Sequence, residues 1–396
     1  MKFDFDRIID RTGTASIKWD LADSLFSGTG LLPLWVADMD FESPPEVIEA
    51  LSERARHGIY GYTAPDPEYS PAIAAWFKDR HNWELDTSWL HFSPGVVTAL
   101  NLLVQALTEP GDRVIVQKPV YYPFMSSIKN NGRTVLDNSL KLEGGRYVMD
   151  LDGLERVTRD PGARLLLLCN PHNPVGRAWT REELKALGDI CIARGIPVVS
   201  DEIHCDLVYP GRRHAPFGSL GDSYLQNSIT CISPSKTFNL AGLQTASLVI
   251  ADPEIGKKYR RALERFGLKW PNLFGATALT AAYRHGADWL DQLMEYIAGN
   301  YRFLKEFIGA EIPAIRVIEP EATYLVWLDF RGLGLDAGAL KTLLCGAARV
   351  ALNEGYTFGS PEGDGFERIN IACPRSILRE ALTRIAGAVR GERNAR

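Results

Sequence analysis

The middle of the chain carries short apolar runs that alternate with segments of helical periodicity, and this alternation constrains the fold most strongly. The runs are rich in β-branched residues, are bounded by Gly, Pro and Asn, and lie at 113–117, 164–169, 197–201, 229–233 and 245–251. Such runs are typical of strands that are buried on both faces. Strands that alternate with helices predict an α/β fold built on a mainly parallel sheet.

Two of the helical segments begin with capping signals. Ser43 is followed by prolines and then by Glu46, and Thr180 is followed at the same spacing by Glu183. A hydroxyl residue with a glutamate three positions later predicts a capping box at each helix start. The glycines expected to end these two helices are Gly58 and Gly195.

The last third of the chain changes character, because a long helical pattern is followed by isolated strands and further helices. This change predicts a smaller α+β domain after a large α/β domain. The first residues are irregular and are expected to pack on the small domain or on a partner subunit. The predicted divisions are an N-terminal arm at 1–42, a large domain at 43–285 and a small domain at 286–396.

Composition and charge exclude several classes of protein. The chain has 396 residues, of which 45% are apolar and 23% are charged, and this balance is typical of a soluble globular protein. A net charge of −5 without a basic run argues against nucleic acid as a partner. We expect no membrane span and no signal peptide. The six cysteines show no C-x-x-C or zinc-like spacing, so we expect no metal site but reduced, buried thiols, which indicate a cytoplasmic location.

Polar residues follow several of the predicted strands at the edge where ligands of parallel sheets collect. Each has an ordinary explanation by itself: asparagine before proline forms turns, an aspartate after a strand caps a helix, and Lys236 could simply be solvated. Together they offer an amine, an acid, amides, hydroxyls and a helix N-terminus. The residues are Gly95, Val96, Asn170, His172, Asn173, Asp201, Glu202, His204, Ser233, Ser235 and Lys236.

This set matches the needs of pyridoxal 5′-phosphate, which requires an amine, an acid at its ring nitrogen, a donor to its phenolate oxygen and phosphate donors. The motifs WVADMDF, FSPGVVTAL, CNPHNPVGR, SDEIH, SPSKTFN and CPRS resemble those of the MalY/PatB-type cystathionine β-lyases. That family belongs to the fold-type I pyridoxal-phosphate enzymes. The resemblance covers nearly the whole chain and implies the same fold, with a large domain, a smaller C-terminal domain and a homodimer.

The resemblance also implies roles for individual residues. Lys236 would hold the cofactor as an internal aldimine and then act as general base, and Asp201 would pair with the ring nitrogen. Asn173 would donate to the phenolate oxygen. Tyr121 would stack on the ring, with Tyr122 as the neighbouring alternative.

Further implied roles concern the phosphate and the substrate carboxylate. The phosphate would be bound by the backbone of Gly95 and Val96, by Ser233 and Ser235, and by Tyr62 from a second subunit. His204, three residues after the acid, belongs to the implied cofactor-binding set. Arg375 would clamp the substrate carboxylate through its planar guanidinium, together with the backbone near Ala37.

The predicted reaction is β-elimination from L-cystathionine or another cysteine S-conjugate, which gives a thiol, pyruvate and ammonia. An aminotransferase is the alternative, because both reactions begin with the same proton abstraction. Gln244 and His204 favour the lyase, since the aminotransferase branch typically has arginine and tyrosine there. A pyridoxal-phosphate-binding regulatory protein is a lower-ranked alternative. The segment 353–359 and Ala372 depart from the family pattern and leave the sulfur substituent open.

Overall fold

The computed structural model describes residues 2–395, and strands form at the apolar runs predicted from the sequence. The strands are β1 (Leu32–Pro33), β2 (Leu90–Ser93), β3 (Arg113–Val116), β4 (Thr134–Asp137), β5 (Lys141–Glu143), β6 (Arg146–Val148), β7 (Ala163–Cys169), β8 (Val198–Asp201), β9 (Ser228–Ile232), β10 (Ala246–Val249), β11 (Arg316–Val317), β12 (Leu325–Asp329), β13 (Val350–Ala351), β14 (Asn353–Glu354) and β15 (Phe366–Asn370).

The helices of the described part of the chain precede, separate and follow these strands. They are α1 (Ile17–Asp20), α2 (Ala22–Phe26), α3 (Pro45–Arg56), α4 (Tyr69–His81), α5 (Val96–Leu107), α6 (Tyr122–Lys129), α7 (Leu151–Val157), α8 (Arg181–Ala193), α9 (Asp222–Gln226), α10 (Pro234–Thr237), α11 (Pro253–Arg265), α12 (Leu273–His285), α13 (Ala287–Glu311), α14 (Ala337–Lys341), which continues as a π-helix at Thr342–Ala348, and α15 (Arg375–Ala395).

The large sheet has the strand order β2-β10-β9-β8-β7-β3-β4. The pairs from β9 to β4 are parallel, whereas β10 is antiparallel to both β2 and β9. The sheet is therefore mixed but mainly parallel, and the predicted α/β class is confirmed. The sheet is covered on both faces: Val114 and Val116 of β3 pack in one apolar cluster, and Ile115 between them packs in another.

A second, antiparallel sheet has the order β11-β12-β15-β14 and is covered by the long helices α13 and α15. Near the N-terminus, β1 pairs in parallel with β13. The arm is thus tied to the last third of the chain. Gly286 is the residue before α13, but the three predicted domain divisions stay predictions. None of the described helices has both the length and the hydrophobicity needed to cross a lipid bilayer.

The two predicted capping boxes have different outcomes. Thr180 accepts from the backbone N–H of Glu183 (3.2 Å), whose carboxylate accepts from the N–H of Thr180 (2.8 Å), so this box is confirmed. The box at Ser43 is wrong, because Pro44 takes the N-cap position of α3 and makes no side-chain cap bond. The hydroxyl of Ser43 instead donates to the carbonyl oxygen of Asn239 at 3.5 Å.

Candidate active site

A cavity of about 270 Å³ lies at the carboxyl ends of β7, β8 and β9. These strands are adjacent and parallel, so the residues that follow them meet at one edge of the sheet. Most of the polar residues predicted to converge do so here. The cavity is lined by Ala37, Pro94, Gly95, Val96, Val97, Thr98, Tyr121, Cys169, Asn173, Asp201, Ile203, His204, Ser235, Lys236, Ala241, Gln244 and Thr245.

Lys236 lies in α10, the short helix that begins directly after β9 at its N-cap residue Ser233. Its Nζ donates to the carbonyl oxygen of Ala37 at 2.5 Å. Burial lowers the pKa of the amine to about 8, and Arg368 adds to this effect while Asp38 and Asp201 oppose it. At pH 7 about a tenth of the molecules then carry the neutral, nucleophilic amine, far more than for an ordinary lysine with a pKa of about 10.4.

Asp201 is the last residue of β8, and its side chain is buried against the floor of the cavity. Its Oδ1 accepts from the backbone N–H of Ile203 at 3.1 Å. Burial, helped by the neighbouring Glu202 and opposed by the bond from Ile203 and by the charge of Lys236, raises the pKa of the carboxyl to about 7. A cationic ring nitrogen placed beside this carboxyl would favour its ionised form, so the site fits the acid that the cofactor needs.

Asn173 lies in the loop after β7 and contacts a residue that the sequence analysis did not select. The Oδ1 of Asn173 accepts from Nη1 of Arg368 at 3.0 Å. Because its oxygen is used in this way, the amide offers its NH₂ group, a donor, to the cavity that it lines. This is the polarity that a phenolate oxygen of the cofactor requires.

Two rings line the cavity. Tyr121 lines it and Tyr122 does not, which favours the predicted residue over its neighbour. The backbone N–H of Tyr121 donates to the carbonyl oxygen of Asn173 at 3.0 Å, which ties the ring to the loop after β7. His204 is buried, and burial lowers the pKa of its imidazole well below the usual value, so the ring is neutral.

The start of α5 forms a cradle for an anion. Gly95 is its N-cap residue, and the first helical residues Val96 to Thr98 line the cavity, where N–H groups without helical partners suit a phosphate. A Cβ placed on Gly95 would meet no atom within 4 Å, so the glycine leaves space on the cavity side. Ser235 adds a hydroxyl to the same wall.

Two predicted phosphate donors stand apart from the cavity wall. Ser233 caps α10, and its hydroxyl donates to the carbonyl oxygen of Thr245 (2.7 Å) while it contacts the hydroxyl of Ser235 (2.8 Å). Tyr62 is fully exposed and does not line the cavity of its own chain. An exposed position fits a side chain that would act in a second subunit, and both roles stay predictions.

Arg375 is not at the cavity, which corrects its predicted placement. It is the first residue of α15, where its Nε donates to Oδ1 of Asn300 at 3.0 Å and its guanidinium lies over the ring of Tyr296. These contacts engage the side chain between α13 and α15. The predicted carboxylate clamp therefore has no support from the position of Arg375.

Arg368 is the basic residue that the sequence analysis missed. It is 2% exposed, and its guanidinium donates to Asn173, to the carbonyl oxygen of Trp35 (2.6 Å) and to Oδ1 of Asn353 (2.8 Å). Among the described residues its hydrogen-bond partners are all neutral and its Nε has no partner, and burial lowers its pKa to about 10. The signal for Arg368 is a charged residue within β15, a strand that is buried along its whole length. Charged side chains are rarely buried in this way unless they have a specific partner.

Behind the segment that follows β8, two histidines are paired with buried carboxylates. His214 contacts Glu202 at 2.7 Å, and His81 contacts Asp206 at 2.8 Å. Asp206 also accepts from the hydroxyl of Thr237, the residue next to Lys236 (2.8 Å). His81, Cys205 and Asp206 are close enough to hold a metal ion, but the carboxylate of Asp206 already accepts bonds at both oxygens.

Comparison with known proteins agrees with this geometry. Residues 29–385 match the model of the aminotransferase class I and II family. The chain belongs to this family.

Among curated proteins, it is 46% identical to the cystathionine beta-lyase PatB of Bacillus subtilis, over 97% of this chain and 99% of that protein. It is 37% identical to the protein MalY of Escherichia coli, over 99% of this chain and all of that one. The crystal structure of cystalysin from Treponema denticola, which contains pyridoxal 5′-phosphate, superposes with a TM-score of 0.96 at 38% identity, over 99% of this chain and 100% of that one.

These relatives confirm the resemblance to the MalY/PatB-type lyases and the fold that it implied. They also confirm pyridoxal 5′-phosphate as the cofactor. The residues of the cavity fit this group, because an amine, a buried acid, an amide donor and the start of a helix surround one space of suitable polarity.

Proposed function

We propose that this protein is a carbon–sulfur β-lyase that cleaves L-cystathionine or a related cysteine S-conjugate to a thiol, pyruvate and ammonia. The observation that carries the proposal is the buried amine of Lys236, with a pKa near 8, in one cavity with the buried acid Asp201. The similarity to PatB over nearly the whole of both chains supports the choice of a lyase.

When bound, pyridoxal 5′-phosphate supplies the electron sink that stabilises negative charge at Cα of an amino acid. Asp201 would hold the ring nitrogen, and the amide NH₂ of Asn173 would donate to the phenolate oxygen. Once the substrate amine has taken the place of the lysine, the neutral Nζ of Lys236 is the group that accepts the Cα proton. Its lowered pKa suits this task near neutral pH.

We assign the substrate carboxylate to Arg368 instead of Arg375. A planar guanidinium binds a carboxylate through two parallel bonds, and Arg368 is buried beside Asn173 without an acidic partner. A substrate carboxylate would compensate this charge. The orphan Nε of Arg368 is a further donor for it.

Loss of the thiol from Cβ needs little help from a protein acid. A thiolate is a good leaving group, since the pKa of a thiol is about 8.5. The neutral imidazole of His204 lines the same cavity and does not add a competing charge. Segment 353–359 departs from the family pattern and contacts Arg368 through Asn353, so we assign it a part in the choice of the sulfur substituent.

The proposed assembly is a homodimer with Tyr62 of each chain completing the phosphate site of the other. Tyr62 is fully exposed in the single chain, and it is followed by residues that line a groove with α3 and α12. Exposed apolar side chains near it include Ile59 and Tyr60. The exposed apolar side chains at 59, 60 and 62 lie close together in sequence, which supports this segment as the proposed dimer contact.

The decisive experiment incubates the cofactor-loaded protein with L-cystathionine in the absence of any keto acid. We expect pyruvate and a thiol to form in equal amounts, and Lys236→Ala to abolish both. Strict dependence on a keto-acid acceptor would contradict the lyase and support the aminotransferase. Cofactor binding with no turnover on a panel of cysteine S-conjugates would support the regulatory alternative.

A further inference from the structure

The segment 36–41, called the strap here, borders the active cavity and lines it at Ala37. The side chain of Asn239 accepts from the N–H of Met39 (3.0 Å) and donates to the carbonyl oxygens of Met39 (3.1 Å) and Phe41 (2.9 Å). Asn370 donates to the carbonyl oxygens of Val36 (2.6 Å) and Asp38 (2.5 Å). The strap is therefore held from both sides by side chains that address its backbone.

A buried ion cluster also holds the strap. Nζ of Lys18 lies 2.7 Å from Oδ2 of Asp40, and both side chains are almost completely buried. Arg11 bridges the two strap carboxylates, at 2.8 Å from Asp38 and 2.7 Å from Asp40. The indole of Trp19 donates to Asp40 at 2.9 Å. Two basic residues of the N-terminal arm thus neutralise two acids of the strap.

The strap touches the reacting amine at Ala37. The carbonyl oxygen of Ala37 accepts from Nζ of Lys236 (2.5 Å) and from the hydroxyl of Tyr324 (3.1 Å). The next residue is Asp38, whose carboxylate belongs to the ion cluster. The cluster is therefore one residue away from the atom that orients the amine.

Buried ion pairs add little net stability compared with apolar side chains of similar size, and their best supported use is to specify one geometry. Lysine is almost never fully buried unless it is paired. Lys18 is buried and paired with Asp40 of the strap. We therefore infer that it has such a geometric role.

We propose that Lys18 and Arg11 are positioning residues for the reaction: through Asp40 and Asp38 they fix the carbonyl of Ala37, which orients the amine of Lys236. The proposal rests on the proposed function in treating Lys236 as the reacting amine. It adds that the N-terminal arm controls the direction and the charge of that amine.

The cluster has an electrostatic consequence with a definite sign. Asp38 raises the pKa of the amine. The charged and titratable groups around Lys236 are Asp38, Arg368, Asp201, His204, Tyr121, Tyr324 and Cys169. Removal of the positive charge of Lys18 or Arg11 leaves Asp38 less compensated, so the pKa of Lys236 should rise. Removal of the negative charge in Asp38→Asn should lower it.

The test compares Lys18→Met, Arg11→Gln and Asp38→Asn in the full-length protein. The first readout is the pH midpoint of the visible absorption change of the cofactor-loaded enzyme. The second is the pH dependence of reductive methylation of Lys236 by formaldehyde with sodium cyanoborohydride as hydride donor in the cofactor-free chain, followed by mass spectrometry of its peptide. We expect Lys18→Met and Arg11→Gln to raise both midpoints by about 0.5–1 unit and Asp38→Asn to lower them.

Arg177→Met is the matched control, because it also breaks a buried ion pair, with Glu321 at 2.8 Å, away from the strap. It should leave both midpoints unchanged. Arg11 is partly exposed, so Arg11→Gln keeps the test informative if Lys18→Met does not fold. The proposal would be overturned if the midpoints of all four variants equalled the wild-type value. It would also be overturned if all four variants shifted in the same direction. If the midpoints shift as expected but the protein forms no pyruvate from L-cystathionine, the lyase is refuted and the positioning role is left intact.

Discussion

Nη1 of Arg368 donates to Oδ1 of Asn173 across 3.0 Å, which joins the second sheet to the loop after β7 of the large sheet. The bond fixes the orientation of the amide and places an uncompensated guanidinium next to it. In the proposed function, this one contact between two sheets serves both the donor to the cofactor and the cation that meets the substrate.

Arg368→Gln should raise KM for the amino-acid substrate and lower kcat/KM by about two to three orders of magnitude. The reason is that a buried guanidinium that meets a carboxylate directly contributes about 2–5 kcal/mol when it is truncated. Steady-state kinetics with L-cystathionine measures this change. Because the present partners of Arg368 are neutral, urea unfolding should show a much smaller effect on stability.

Arg375→Gln is the control for this prediction. Its guanidinium contacts Asn300 and Tyr296 outside the cavity, so we expect kcat/KM to change by less than about tenfold. A larger loss in Arg375→Gln than in Arg368→Gln would restore the carboxylate clamp to Arg375.

Asp201→Asn should make the cofactor-free protein relatively more stable as pH rises from 5 to 8. In the folded chain the pKa of Asp201 is about 7, above the value of about 3.9 in an unfolded chain. The folded state therefore holds the proton more tightly, and the stability contributed by Asp201 is complete below the unfolded pKa and is lost as pH rises through 7. Asparagine does not titrate, so the difference between variant and wild type, measured by urea unfolding, should grow across this window.

The same substitution should lower β-elimination strongly, since asparagine cannot stabilise a protonated ring nitrogen. An Asp201→Asn enzyme with full activity would contradict the assigned role, whatever its stability.

Gly95→Ala should weaken binding of pyridoxal 5′-phosphate while it leaves the fold intact. The φ of Gly95 is 170°, an extended value that alanine adopts, and its Cβ would meet no protein atom within 4 Å. The added methyl group would instead enter the anion cradle. Equilibrium titration of the cofactor and thermal unfolding of the cofactor-free protein separate the two effects. Unchanged cofactor affinity would show that the phosphate lies elsewhere.

The proposed dimer predicts complementation between two defective chains. Lys236→Ala removes the amine, and Tyr62→Ala removes a residue that would act in the other subunit. Hybrid dimers contain one site with both defects and one intact site, so a mixture that is unfolded and refolded together should regain activity. Separate refolding of each variant followed by mixing under native conditions is the control. No gain in the refolded mixture would place Tyr62 outside the partner site.

The strands and the convergence of residues at their ends could be predicted from sequence, because they depend on local composition. A strand buried on both faces needs a continuous apolar run, and β7, β8 and β9 each have one. Parallel neighbours then bring Asn173, Asp201 and Lys236 to one edge. The chemistry of these three side chains is sufficient to suggest the cofactor.

Other features could not be predicted, because they depend on residues that are far apart in the chain. The sequence predicts Ser43 as a helix cap, but Pro44 occupies that position and the hydroxyl of Ser43 donates to the carbonyl oxygen of Asn239. Arg375 was selected from its motif, whereas Arg368 reaches the site through a strand of the second sheet.

By itself, the sequence determined the class of fold, the cofactor and the residues at the ends of the parallel strands, since apolar periodicity and strand-end chemistry are local properties. The tertiary structure alone decided which arginine stands beside Asn173, and how Lys18 and Arg11 reach the strap beside Lys236. For Lys18 and Arg11, the choice depends on which buried charges find partners across the fold, whereas Arg368 is held beside Asn173 by neutral acceptors from distant segments. Burial makes an unpaired charge so unfavourable that packing, and not sequence spacing, selects the pairs.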